Sequence, residues 1–200
     1  NRYFRLNYEN DYFSATDQYY TQGINLEFVH PALSKFPVSG ILLHLKGGSH
    51  KYGLSVEHDA YTPTSISSSE ILYGDRPFAA CLFLKTFKLS VDTVKHQRLS
   101  AAFSAGVIGP YAGGENMQRS IHRWLGDIPP VGWDNQIQND VILNYQLAYE
   151  KKIFSWRRFI SFSSDAKIRA GTLNDKLNGG FTMMIGNFDS QLQSPVREAS

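Results

Sequence analysis

Apolar and polar residues alternate along most of the chain, the mark of strands with two unlike faces. In the first segment Phe4, Leu6 and Tyr8 alternate with Arg5, Asn7 and Glu9; in the second Ile24, Leu26 and Phe28 alternate with Gly23, Asn25 and Glu27. The third sets Tyr52, Leu54 and Val56 against Gly53, Ser55 and Glu57. The fifth runs from Leu99 to Val107, the sixth from Val141 to Glu150 and the seventh from Ile160 to Arg169. A fourth segment, Phe78 to Val91, alternates less cleanly, and an eighth, Leu177 to Phe188, is Gly-rich and weak. About eight strands are predicted, most near the ~9–11 residues of a strand that crosses a membrane. One stretch breaks the pattern. Gly113-Gly114 leads into Glu115 to Leu125, where Met117, Ile121, Trp124 and Leu125 recur at helical spacing, and Gly126 supplies a stop. A short helix is therefore predicted between strands five and six, with Gln118 and His122 as neighbours on its other face.

Such strands suit two architectures. A soluble sandwich or barrel turns the apolar face inward, whereas an outer-membrane barrel turns it toward lipid and the polar face toward a lumen. Tyr3, Tyr19, Tyr20, Tyr61 and Tyr149 stand near strand ends, as an interfacial girdle requires, although soluble sandwiches also have aromatic strand ends. The longest apolar run, Phe78 to Leu84, stops well short of the ~18 residues of a spanning helix. A mean hydropathy of -0.31 keeps a soluble, lipocalin-like carrier in view.

Composition narrows the classes. Of 200 residues, 42% are hydrophobic and 19% charged, which excludes a disordered tail. The net charge of +2 encodes no pull toward nucleic acid. The single cysteine, Cys81, excludes an intrachain disulfide and a Cys-based zinc site. Phosphate-binding Gly-rich loops, HExxH and GxSxG are all absent. His30, His44 and His58 share no metal-ligand spacing. Read singly, Asn10-Asp11 is a turn, His122 a surface or packing residue, Asp75-Arg76 a turn brace or ion pair, and Trp133 a packing or interfacial aromatic.

Their order carries more. Asn10-Asp11, Tyr20-Thr21-x-Gly23, Tyr61-Thr62-Pro63, Gly74-Asp75-Arg76-Pro77-Phe78-Ala79, Gly106-Val107-Ile108-Gly109-Pro110, Gln118-x-x-x-His122 and Trp133-x-x-Gln136 together resemble the lipid A 3'-O-deacylase (LpxR-like) family of outer-membrane proteins. The resemblance runs from Asn10 to about Asp140, and the stretch from Gly106 to His122 is its most specific part.

The resemblance implies an all-β fold, an antiparallel transmembrane β-barrel of twelve strands, with a single domain over residues 1–200 and an active site inside the barrel near its outer-leaflet end. Eight strands do not make that barrel, and the chain ends Pro195 to Ser200 without a terminal aromatic. C-terminal truncation is therefore expected; a narrow eight-stranded closure is the alternative. The implied activity is calcium-dependent hydrolysis of the 3'-linked acyl or acyloxyacyl ester of lipid A, by a monomer in a Gram-negative outer membrane. His122 is then the general base, Asn10 and Asp11 are calcium-site and active-site residues, Thr21 is a further active-site member, and Gln118 supports His122. Thr21 shares lumen parity with Gly23 and Asn25, whereas Asn10 has lipid-facing parity and is expected past the regular strand. The chain departs from the family pattern at Ser68, where a lysine is expected, and at Ile128, where a carboxylate is expected; Arg76 or a nearby loop lysine is the candidate substitute for the first and Asp127 for the second. A non-catalytic, lipid-binding barrel is the alternative function.

Overall fold

Side chains point to opposite faces at successive strand positions, so the alternation becomes a wall with two unlike sides. The structure is a computed structural model and describes residues 2–10, 22–157 and 159–187. Eight strands follow one another in chain order, each antiparallel to the next: β1 (Tyr3–Asn10), β2 (Gln22–Val29), β3 (Ser49–Tyr61), β4 (Ala79–Asp92), β5 (Gln97–Ile108), β6 (Asp140–Trp156), β7 (Ile160–Gly171) and β8 (Lys176–Ile185). The sheet is open: among the described residues β1 and β8 do not pair. The predicted helix is α1 (Gly114–Leu125), between β5 and β6 as expected.

The register keeps each face pure across the strands. One row reads Leu6, Leu26, Val56, Leu84, Ala105 and Leu143; the adjacent row reads Arg5, Glu27, Ser55, Lys85, Ser104 and Asn144. The polar face is the concave one. Asn25, Glu57 and Lys85 line a cavity of ≈ 580 Å³ that Lys167 and Arg169 of distant β7 also line. The charges there answer one another. Arg5 pairs with Glu27 at 2.9 Å, Lys85 with Glu57 and Arg98 with Glu150. The convex face carries the large exposed hydrophobics, among them Phe4, Leu26, Val56, Leu143, Phe181 and Met183. Tyr3 and Tyr61 correct the girdle expectation. Tyr3 donates its hydroxyl to Glu27 at 2.8 Å, and Tyr61 lines the cavity, so both serve the concave side. Tyr19 and Tyr20 lie outside the described residues.

The weak alternation of β4 has a structural cause. Thr86, Lys88 and Ser90 share the convex face with Leu82 and Leu84, yet all three are buried. The segment between β2 and β3 covers them: its turn Pro31–Lys35 packs on β3 and its turn Pro37–Ile41 on β4. Tyr145 of β6 anchors the far end of this strap. Its hydroxyl donates to Ile41 O at 2.9 Å and accepts from Leu43 N at 3.1 Å. Leu42 turns inward, and Phe36, Ile41 and Leu43 face out, so the strap restores an apolar surface where the strand is polar.

Long connections gather at the opposite end. Residues 62–78 join β3 to β4, and residues 109–139, which include α1, join β5 to β6. The two pack together: Val131 N donates to Ile66 O at 2.8 Å, and Asn135 Nδ2 to Ser69 O at 2.8 Å. Phe78, Ala80, Ala112 and Trp133 form the small core beneath them.

Candidate functional site

Helix α1 begins after the left-handed Gly113 and ends at Gly126, whose φ of 72° closes the last turn at little steric cost. It lies against the convex face. A Cβ on Gly114 would stand 2.4 Å from Ala80 Cβ and 2.8 Å from the Trp133 ring, so only glycine permits this approach. Ala80 continues the row of Ala60 and Gln22, and position 10 lies opposite Gln22. His58, on the same face, donates Nε2–H to Ala112 O at 3.0 Å and ties the approach to α1 down to β3.

This placement corrects two expectations. The helix that carries Gln118 and His122 packs outside the wall, not inside the barrel. Asn10 is the last residue of β1, in register with Gln22, and is not past the strand. Its lipid-side parity is what brings position 10 to the α1 side. Asp11 and Thr21 lie outside the described residues.

The helix also turns its faces the other way from a soluble one. Gly114, Gln118 and His122 are the buried residues, and Trp124 is 85% exposed. The polar residues are satisfied against the wall. Trp133, fully buried, donates Nε1–H to Gln118 Oε1 at 2.7 Å, which fixes the amide with its nitrogen turned away. Trp133 is thus a packing aromatic, braced by Phe78 at 4.9 Å between ring centroids.

His122 Nδ1 lies 2.7 Å from Ile128 O. A carbonyl only accepts, so Nδ1 carries the proton, and in the neutral ring Nε2 holds the lone pair. The backbone of residue 128 therefore does the orienting work expected of a carboxylate there, which any side chain at that position allows. Asp127 contributes at longer range, with Oδ2 3.8 Å from Nδ1 and Oδ1 accepting from Ile128 N at 2.7 Å.

The expected lysine position is filled differently. Ser68 Oγ accepts from Glu70 N at 3.2 Å, a local turn brace, and residues 62–78 contain no lysine. Arg76 stands on the other side of the wall from α1: its guanidinium lies over Tyr61 at 5.8 Å and lines the cavity on the concave side. Asp75 is a turn brace, as its type suggests. It accepts from Thr64 N at 2.7 Å and Thr64 Oγ1 at 2.6 Å, and these bonds hold its carboxyl below the usual range.

A residue the sequence did not single out joins the seam. Gln22 is fully buried, donates Nε2–H to Met117 Sδ at 2.7 Å, and leaves Oε1 without a hydrogen-bond partner among the described residues. Calcium is held by carboxylate and amide oxygens. An amide oxygen with no partner among the described residues, in register with position 10, is chemically suited to such a ligand set. Among the described residues there is no cluster of three or more His, Cys, Asp or Glu side chains for a metal.

The chain matches a family model described as "Outer membrane protein LpxR" over residues 1–200. The solved structure of LpxR from Salmonella typhimurium has the same fold, with a TM-score of 0.70 and 23% identity over 88% of this chain. This chain spans 56% of that one. The comparison with curated proteins gives no match. An antiparallel wall with a polar concave face, an apolar convex face and a helix docked at its end, matched along its whole length by this model, belongs to the LpxR family of outer-membrane proteins.

Proposed function

We propose that the protein hydrolyses the 3'-linked acyl or acyloxyacyl ester of lipid A in the outer leaflet, acting as a monomer. The observation that supports this most is the His122 ring, held by Ile128 O so that Nε2 carries the lone pair in a buried seam between helix and wall. Nε2 takes a proton from water as the water oxygen attacks the ester carbonyl carbon. The bond from that carbon to the sugar oxygen then breaks, and the proton on Nε2 passes to the leaving oxygen. The products are a fatty acid and a free sugar hydroxyl. Gln118 sets the helix against Trp133 and so positions His122 one turn away. Asn10, Asp11 and the Gln22 amide oxygen would hold calcium, which supplies positive charge where the carbonyl oxygen becomes negative. Thr21 is proposed as a further polar contact to substrate.

The test is mass spectrometry of lipid A after incubation with the detergent-folded full-length protein, with calcium, with chelator and as His122→Ala. Loss of a 3'-linked acyl group, abolished by chelator and by the substitution, is expected. Turnover unchanged by His122→Ala would overturn the mechanism. No turnover under any condition by a folded barrel would favour a non-catalytic lipid binder, the reading that Ser68 in place of lysine supports.

A further inference from the structure

One flank of α1, about a quarter-turn round from its buried Gly114, Gln118 and His122, carries a stripe of exposed apolar side chains, whereas the side opposite those residues carries the exposed Asn116, Ser120 and Arg123. Trp124 is 85% exposed, Ile128 64% and Leu125 39%, with Ile121 half-buried beside them. Arg123 is the exposed residue next to Trp124, and Arg119, further round the helix, pairs with Glu115 at 2.9 Å. The height of the stripe on the wall is set by Ala80, which Gly114 touches. Two residues along the same face of β4, about 7 Å away, stands Leu82, 37% exposed, the first large side chain of the apolar band. Leu84 and Val56 continue that band. The stripe is thus an extension of the lipid-facing surface, and an exposed tryptophan beside arginines is what the boundary between acyl chains and headgroups selects.

We infer that α1 lies in the outer-leaflet lipid boundary, with Trp124, Leu125 and Ile128 among the acyl chains and Arg123 at headgroup level. The seam that holds His122 then opens toward lipid and not toward bulk water. The occupant of the stripe is the bilayer itself. The inference rests on the fold and its membrane placement, not on hydrolysis.

Trp124 fluorescence tests it in the full-length protein folded into phosphatidylcholine vesicles. The chains carry bromine near the glycerol end, near the methyl end, or not at all. Subtracting the Trp124→Phe variant isolates Trp124, because the other two tryptophans, Trp133 and Trp156, are common to both proteins. The expected result is loss of Trp124 emission with brominated lipid, larger for bromine near the glycerol end, and little loss with acrylamide in the water. Quenching by acrylamide without quenching by lipid would overturn the inference. Protection from both would also overturn it, because a protein surface would then cover the stripe. Leu125→Cys with a polarity-sensitive label gives a second reading if the subtraction fails, since the native Cys81 is buried. Ester turnover enters none of these measurements, so their outcome is separate from that of the proposed hydrolysis.

Discussion

The two faces of the wall both hold polar residues, but of different kinds. On the concave side, opposite charges neutralise one another: Arg5 with Glu27, Lys85 with Glu57, Arg98 with Glu150. On the convex side, the seam under α1 is lined by an amide, an imidazole and an indole, each held in one orientation by a defined donor or acceptor. Paired charges fill space and hold a shape, and their net worth is small where water reaches them. A ring whose Nδ1–H is held by a backbone carbonyl is a different object, because its other nitrogen is fixed in one direction. The cavity on the concave side is therefore the less promising place for the chemistry. His122 is not among its lining residues.

That contrast can be broken by substitution on either side. His122→Ala should lower ester turnover by about 10²–10⁴-fold, the usual worth of a general base. The double variant Glu57→Gln/Lys85→Met, which removes both members of a lumen pair, should leave turnover within a few-fold of the parent (about the scatter that a distant, independent site brings). Fatty-acid release by mass spectrometry reads both. A reversed order of effects would move the chemistry into the lumen.

A smaller effect is expected one layer out. Trp133→Phe keeps the ring that packs on Phe78 but removes the donor to Gln118 Oε1. The buried acceptor left behind should cost about 1–3 kcal/mol. That loss should appear as a lower urea midpoint and as slower turnover, because α1 is less firmly seated. Unchanged stability would mean that the Gln118 amide finds another donor.

The smallest effect concerns pH. The Asp75 carboxyl is depressed by its hydrogen bonds from Thr64, so its folded pKa lies below its unfolded one. Its contribution is therefore present above the unfolded value and is lost only as pH falls through the folded value. Hydrogen exchange at the Thr64 amide should stay slow from neutral pH down through the ordinary carboxylate range and quicken only below it. Thr64→Val, which removes the strongest of these bonds, should move that loss upward. Loss of protection already near neutral pH would sink this account.

How much of this was legible in the sequence depends on what the alternation encodes. A wall between lipid and a wet lumen must alternate, so β1, β2, β3, β5, β6 and β7 announced themselves. The exception, β4, has Thr86, Lys88 and Ser90 at lipid-side positions, and only a distant strap makes that tolerable. Tyr145 and Ile41 are far apart in sequence, and nothing local couples them. The helix was visible through its glycines, and its two faces through their spacing. Which face meets the protein was not visible, because periodicity separates apolar from polar without saying which solvent lies outside. The expectation that the helix with Gln118 and His122 lies inside the barrel failed for the same reason. In lipid an apolar flank of α1 can stay exposed, and Gln118 and His122 take the wall.

The sequence by itself determined the strand pattern, the helix and its caps, and the family-like order of Asn10, Gln118 and His122. The tertiary structure alone decided three things: that position 10 lines up with Gln22 in the row leading to α1, that Gln22 joins the seam, and that Ile128 orients His122. Each of these rests on a strand register or a backbone carbonyl. A carbonyl is the same in every residue, so its partner leaves no mark on the sequence and appears only when the chain has folded around it.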